Sequence, residues 1–328
     1  MRDVFGFENQ SKLYNTFRPE YPKPLVDYVI LSVTSTHPPG LCVDACKGAL
    51  DSCVVDVACG TGLFTRQIAP YFDKVVGLDQ SAAQLQLAIE CPDLYENISY
   101  LNYDAYDLTG ALDKLEIKSS DVTLVTIAQG FHWLDFDKFV SMLTENLPSN
   151  TIFAPIGYSR PHVMNKEFLL DESLKECLCN PDIVLSEYDE KFTTYEKMIN
   201  SLFEFLLPYF DFNRRVLEKF YQDLPFEDYF ESREFKMFPE ILETDWYRFQ
   251  QFIFSISAYR ICLEKNEDEI AAGTFDDPLV KLLRFVLETE GKLDLTNSSD
   301  FTSAEDAEVL KTIKFDILWN FFVHILSN

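Results

Sequence analysis

Residues 54–79 read VVDVACGTGLFTRQIAPYFDKVVGLD, and the order of their parts decides the fold. VVDVA (54–58) is a short β-branched run of the kind that lies buried on both faces of a parallel sheet. CGTG follows at once, so Gly60 and Gly62 stand where a chain leaving a strand must turn sharply and approach a ligand without a Cβ in the way. A helix-like stretch (63–72) leads to a second apolar run, KVVGL (74–78), which ends on Asp79. The interval from Gly60 to Asp79 fits one helix and one strand. A dinucleotide turn would place a third glycine at position 65, where this chain has Thr65. The GxGxxG pattern that cradles a pyrophosphate is therefore absent.

Outward from this stretch the alternation continues. ISYLN (98–102), DVTLVTI (121–127) and TIFAPI (151–156) read as strands, with helical segments at 81–90, 109–115 and 136–147 between them. Buried strands alternating with helices predict a parallel sheet with right-handed crossovers and helices on both faces. Upstream, EYPKPLVDYVILSV (20–33) reads as a proline-started helix, and 34–52 as an irregular connection. Downstream of residue 158 the alternation stops and helical patterns such as MINSLFEFLLPYF (198–210) take over, up to YFESREFKMF (229–238). DWYRFQQFIFSISAYRI (245–261) reads as one aromatic helix capped by Thr244 and Asp245. TIKFDILWNFFVHIL (312–326) fits a strand or a helix on periodicity alone. The expected organisation is a ligand-binding core with an N-terminal helical cap (1–157), a helical insertion roofing the pocket (158–225), and a C-terminal completion of sheet and pocket (226–328).

Three successive strand ends carry an acid. Asp56 is a candidate to position an amino-acid moiety, Asp79 suits the two hydroxyls of a ribose, and Asp104 in LNYDAYDL could accept from an adenine amino group beside Ala105. Taken singly, each could equally be structural; the ordered set points to a nucleoside ligand without a pyrophosphate.

Composition narrows the partners. With 328 residues and a formal net charge of −26, the chain lacks the basic face that nucleic acid demands. Between Glu264 and Glu308 there are 13 acidic residues against four basic ones, read as a solvated face. No 18-residue apolar run or leader-like N-terminus occurs, so a cytosolic location and no membrane span are expected. Eight cysteines form no CxxC pair. They are expected to be reduced thiols, and no metal site is expected, the only candidate ligands being Cys42, Cys46 and Cys53.

DVACGTG, VVGLD and AQGFHWLDFDKF (128–139), together with LYNTFRPEYP (13–22), IGY (156–158), SISAY (255–259) and ILWNFF (317–322), resemble class I S-adenosylmethionine-dependent methyltransferases of the trans-aconitate methyltransferase-like group, within the type 11-like methyltransferases. The resemblance covers most of the chain. The first motif is shared by very many methyltransferases, whereas R-P-x-Y-P and H-W-x-D-F are the more specific pieces. It implies a Rossmann-like α/β fold with a mainly parallel seven-stranded sheet and a largely helical insertion, S-adenosyl-L-methionine as cofactor, and a small-molecule substrate. By the same resemblance Tyr14 and Arg18 would close over the methionine end of the cofactor. Asp56, Ala58, Gly60, Gly62, Asp79, Gln80, Asp104, Ala105, Ala128 and Gln129 would hold the rest. Gln129, His132 and Trp133 would border the transferring methyl. Ile156 and Ile256 stand where tryptophans often occur in the group, which would reshape the pocket.

His132 and Arg18 are the candidate catalytic side chains. His132 follows the fourth strand and could hydrogen-bond an acid substrate or deprotonate a hydroxyl, or else only tie the loop beside Trp133. Arg18 can grip two oxygens at once, on the cofactor or on an acid, with a surface ion pair as its bland alternative. His132, Trp133, Tyr158, Arg160 and Tyr259 are the candidate substrate contacts; Arg160, like Arg260, and Tyr259 have structural readings as strong. O-methylation of a carboxylate is the expected reaction. O- or C-methylation of an apolar acceptor, and a non-catalytic cofactor-binding regulator, are the alternatives.

Overall fold

In a computed structural model, which describes residues 8–34, 50–164, 190–212 and 214–328, β1 (Leu50–Val57) is the central strand. It pairs in parallel with β2 (Phe72–Asp79) on one side and β4 (Val122–Ala128) on the other. β3 (Ile98–Asn102) extends the β2 side and β5 (Ile152–Tyr158) the β4 side, both parallel. The strand order 3-2-1-4-5 reverses between β1 and β4, and ligands of such sheets sit at the carboxyl ends of the strands flanking that reversal.

Alternate residues of the strands feed two cores. Val54, Val75 and Leu124 point to one face, where α2 (Lys23–Ser32) adds Leu25 and Val29. Val55, Val76 and Val125 point to the other, where α5 (Leu108–Lys114) adds Leu112 and α6 (Phe136–Asn146) adds Phe139. This period-two division makes the continuous apolar runs of the sequence fit a sheet covered on both sides. The segment read as a helix over 63–72 is shorter, α3 (Leu63–Ile68), because Pro70 leads into a 3-10 turn (Ala69–Tyr71) and Phe72 already belongs to β2.

Among the described residues the sheet holds eight strands where seven were expected. The excess arises because one lane is broken. β5 and β6 (His162–Met164) both pair antiparallel with the same edge of β8 (Lys314–Ser327), Tyr158 facing Phe321 and His162 facing Leu318, with the register slipping by one residue between them. β7 (Ser232–Asp245) pairs with the opposite edge of β8 along its whole length. The ambiguous segment 312–326 is thus a strand, fixed by partners on both edges that no local periodicity can reveal.

The aromatic segment 245–261 is not one helix. α9 (Trp246–Phe254) stops at Ser255, and α10 (Ser257–Lys265) begins after Ile256 in extended conformation. Between residues 158 and 225 the described helices are α7 (Glu190–Leu206) and the short α8 (Arg214–Glu218). α7 is tied to β6 by Glu196, whose carboxylate accepts from Arg160 Nη1 at 2.8 Å and from the Val163 amide at 3.0 Å, with His162 Nδ1 at 2.8 Å. Residues 35–49 of the expected irregular connection, with Cys42 and Cys46, and residues 165–189 with Cys177 and Cys179, lie outside the described residues. No helix among the described residues is long and apolar enough to cross a membrane. Nor does any group of three or more His, Cys, Asp or Glu among them stand close enough to hold a metal.

Candidate active site

A cavity of about 300 Å³ opens at the carboxyl ends of β1, β2 and β4, where the strand order reverses. Two non-glycine residues at these ends, Ala58 (φ 52) and Gln129 (φ 59), adopt left-handed backbone, a conformation that costs energy unless its surroundings fix it. Gln129 is fixed on all sides. Its amide donates to the Ile156 carbonyl at 2.9 Å, its side-chain Nε2 donates to the Tyr158 carbonyl at 3.2 Å, and its Oε1 accepts from the Tyr158 amide at 2.9 Å. The side chain thereby continues the β4–β5 ladder past its end and holds the loop carrying His132 and Trp133.

Asp79 closes the opposite side. One oxygen accepts from the Gly60 amide at 2.8 Å and the other from the Ser81 amide at 2.7 Å, so the carboxylate is oriented by backbone at the cavity wall. Gly60 (φ 58) sits in left-handed backbone that strains any side chain, and a Cβ there would also push aside the end of the Gln84 side chain, at 2.5 Å from Oε1. Gly62 (φ 74) starts α3 in left-handed backbone and does not line the cavity; a Cβ would meet the Tyr100 hydroxyl at 2.1 Å.

Of the residues expected from the sequence to hold ligands, Tyr14, Arg18, Ala58, Gly60, Asp79, Gln80, Ala105, Ala128, Gln129, His132, Trp133 and Tyr158 all line this cavity. Five others do not. Asp56 is fully buried beneath it, accepting from Thr65 Oγ1 at 2.6 Å and Thr126 Oγ1 at 2.7 Å, so it locks α3 to β4 and touches no ligand space. Asp104 is exposed and bonded to Gln80 Nε2 and the Tyr106 amide. Gly62 belongs to the helix start. Arg160 is drawn away by Glu196, and the Tyr259 hydroxyl by Asp277 Oδ2 at 2.5 Å. Of the two isoleucines at tryptophan positions, Ile256 lines the cavity, while Ile156 is fully buried in the sheet opposite Val323 and leaves the cavity's shape to others.

Burial without a cationic partner pushes the Asp56 carboxyl up to about 6 from its ordinary 3.8. The folded form therefore keeps a proton that the unfolded chain has released, and this group's contribution to stability falls as pH rises from about 4 to 6. Thermal melts across that range are expected to show the slope, and D56N, which cannot titrate, to flatten it; an unchanged slope in D56N would assign it to other groups.

Arg18 is anchored by neutral groups. Its Nε donates to Ser255 Oγ at 3.0 Å, Nη2 to the Ser255 carbonyl at 3.4 Å and Nη1 to the Tyr158 hydroxyl at 3.2 Å, and its guanidinium lies over the rings of Tyr14 and Phe252 at 4.8 and 5.1 Å. The break between α9 and α10 serves this contact, because it puts the hydroxyl and carbonyl of Ser255 within reach of one guanidinium. On the far wall stands Arg214, which sequence reasoning missed. It is 8% exposed, flanked by Phe203 and Phe210 with its guanidinium 4.8 Å from each ring centre, and its Nε donates to Glu218 Oε1 at 3.0 Å. The only local signal is the alternation Phe210, Phe212, Arg214 in YFDFNRR, three side chains at period two that all line the cavity.

His132 lies between these two arginines. Its Nδ1 is 2.8 Å from the hydroxyl of buried Tyr221, and its ring packs on Phe212 with centres 4.2 Å apart. Removal from bulk water, then the positive charges of Arg214 and Arg18, bring its pKa down to about 3, so the ring is neutral at physiological pH.

Residues 54–147 match the family profile described as "Methyltransferase domain". The fold is a Rossmann-like methyltransferase fold. The matched residues run from within β1 to the end of α6 and include strand ends that shape the cavity. A curated Saccharomyces cerevisiae protein described as a probable S-adenosylmethionine-dependent methyltransferase is 30% identical over 159 residues, 48% of this chain and 48% of the relative. A Dictyostelium discoideum protein assigned as a methyltransferase is 30% identical over 137 residues, 42% of each chain. The match thus spans about half the length of the curated relatives, or less. A solved structure assigned as a type II methyltransferase from Anaeromyxobacter dehalogenans superposes with a TM-score of 0.54 at 18% identity, over 95% of this chain and 98% of that one, a likeness of fold.

The yeast relative is described as S-adenosylmethionine-dependent, and the residues lining this cavity fit that cofactor. Asp79 offers oriented acceptors for vicinal ribose hydroxyls, bare Gly60 lets backbone approach, Ala105 and Leu134 supply apolar walls, and Arg18 has no carboxylate partner among the described residues. When bound, the group supplies an electrophilic methyl on a sulfonium.

Proposed function

We propose that this chain is an S-adenosylmethionine-dependent methyltransferase of the trans-aconitate methyltransferase-like group that esterifies a carboxylate of a small organic acid. The observation that carries this reading is the pair Arg18 and Arg214 at one cavity, with Glu218 the only carboxylate among the described residues bonded to either. A water-poor cavity with more cationic than anionic groups favours anionic ligands. On a chain of net charge −26 the general field repels acids, so a locally positive pocket is the feature that would select one. Arg18 suits the carboxylate of the cofactor's methionine end, which leaves Arg214 for the acceptor.

Methyl transfer from a sulfonium is an in-line displacement, in which the protein aligns the reacting atoms and excludes water. Phe203, Phe210, Phe212 and Phe252 supply the apolar walls. An ionised carboxylate is already a nucleophile and needs no base, in keeping with a histidine whose low pKa makes it a weak one. The acidic surface supports a free small molecule over nucleic acid as acceptor. Incubation with methyl-labelled cofactor and a panel of organic acids is expected to yield a base-labile ester; labelling confined to amines or carbon would overturn this choice of acceptor.

A further inference from the structure

Tyr221 is fully buried, yet it belongs to no sequence motif that points to the site. It and Phe220 adopt left-handed backbone (φ 59 and 57) immediately after α8. That geometry is held from two sides. The Tyr221 amide donates to the Val216 carbonyl at 3.0 Å and that of Phe220 to Leu217 at 2.9 Å, which closes the helix end. Behind them the Phe220 carbonyl lies 2.7 Å from Nε2 of buried His324, whose Nδ1 accepts from Arg233 Nε at 3.3 Å. Since Arg233 can only donate, His324 must carry its proton on Nε2 and give it to Phe220. Two consecutive non-glycine residues in left-handed backbone persist only where the surroundings over-determine them, and their effect here is to aim one phenol hydroxyl at His132 Nδ1, 2.8 Å away.

The direction of that hydrogen bond decides what His132 can do. A neutral imidazole has one N–H and one lone pair. If Nδ1 carried the proton, the Tyr221 hydroxyl would be the acceptor, and its own hydrogen would have no acceptor among the described residues in a dry interior. If the hydroxyl donates to Nδ1, its hydrogen has an acceptor and the imidazole proton is displaced to Nε2, on a side chain that lines the cavity. Burial raises the phenol pKa further, so the hydroxyl keeps its hydrogen. Nε2 makes no hydrogen bond to a described residue, and His132 lines the cavity.

We propose that Tyr221 is a positioning residue that fixes His132 in its Nε2–H form, so that His132 meets the methyl acceptor as a hydrogen-bond donor and not as a base. The inference rests on the reading of this cavity as the acceptor site, and it deepens that reading: a donor can orient the acceptor's oxygen, whereas a hydroxyl acceptor would be left without a base. No bond to hydrogen is broken at His132 in this role.

Long-range proton–nitrogen correlation NMR on the full chain labelled with ¹⁵N-histidine tests this without substrate, the His132 signals being identified by their loss in H132Q. The expected wild-type pattern is a protonated Nε2 and a pyridine-like Nδ1, constant from pH 5 to 8. A protonated Nδ1, or titration within that range, overturns the proposal. Y221F should convert His132 to a mixture of the two neutral forms, or to the other form, while the His324 signals stay in place and report an intact fold; an unchanged His132 pattern in a folded Y221F also overturns it. Should the pattern hold while no acid is esterified, the choice of acceptor fails and the tautomer assignment stands; an ester formed by a protein with Nδ1–H fails this proposal alone.

Discussion

Replacing Asp79 by alanine is expected to lower affinity for the demethylated cofactor product by roughly 100-fold or more, read by titration calorimetry on a variant whose circular dichroism is unchanged. The carboxylate does two jobs. It accepts the amides of Gly60 and Ser81, at 2.8 and 2.7 Å, and so shapes the glycine turn; it also lines the cavity, where a ribose would bond to it. A hydrogen bond to a charged group contributes about 1.5–3 kcal/mol, so losing two to the ribose gives about 3 kcal/mol or more, or at least a hundredfold. Alanine also leaves the two amides without their acceptor and loosens the turn. D79N, which keeps one acceptor oxygen, should fall between. Wild-type affinity in D79A would mean that the cofactor does not use this carboxylate, and the cofactor side of the site would have to be redrawn.

The second large effect is expected at Arg214. R214M should raise KM for the acid acceptor by roughly 30- to 100-fold with kcat changed by only a few-fold, because a charge-assisted hydrogen-bond pair in a water-poor cavity contributes about 2–3 kcal/mol to binding and is made in ground and transition states alike. Methionine retains the packing between Phe203 and Phe210. Glu218, 23% exposed, can turn to water when its partner is gone, so the fold should tolerate the change. Cofactor affinity should stay at the wild-type value, and this separates Arg214 from Arg18. A uniform loss of kcat with KM unchanged would place Arg214 in alignment of the methyl transfer and not in recognition of the acid.

The parallel half of the sheet was legible because its signals are local. A β-branched run followed by a glycine turn, a helix and a strand ending on Asp79 is one supersecondary unit, and each part of it is dictated by neighbours a few residues away. The same logic misled at Asp56. An acid at a strand end reads as a ligand group from sequence, but alternation along β1 decides which way it points, and here it points under the turn, to Thr65 and Thr126. Asp104 ends exposed beside the cavity lining, its carboxylate bonded locally to Gln80 and the Tyr106 amide.

The cavity wall opposite Asp79 was hardly legible. Arg214, Phe212 and Tyr221 come from a segment with no motif, and they reach His132 across 80 to 90 residues of chain only because β7 and β8 complete the sheet and seat the Phe220–Tyr221 turn on His324. Arg160 and Arg260 offered the same guanidinium on equal terms in the sequence, and Glu196 took the first of them out of contention.

By itself, then, the sequence determined the parallel sheet, the position of the glycine turn and the acidic end of β2, since period, turn chemistry and an acidic strand end are short-range properties that survive in a one-dimensional string. Only the tertiary structure decided that 312–326 is a strand shared by three others, that 245–261 breaks at Ser255 to hold Arg18, and which arginine reaches the cavity. Those outcomes depend on partners distant in the chain, and on which carboxylate or carbonyl happens to lie within hydrogen-bonding distance once the sheet has closed.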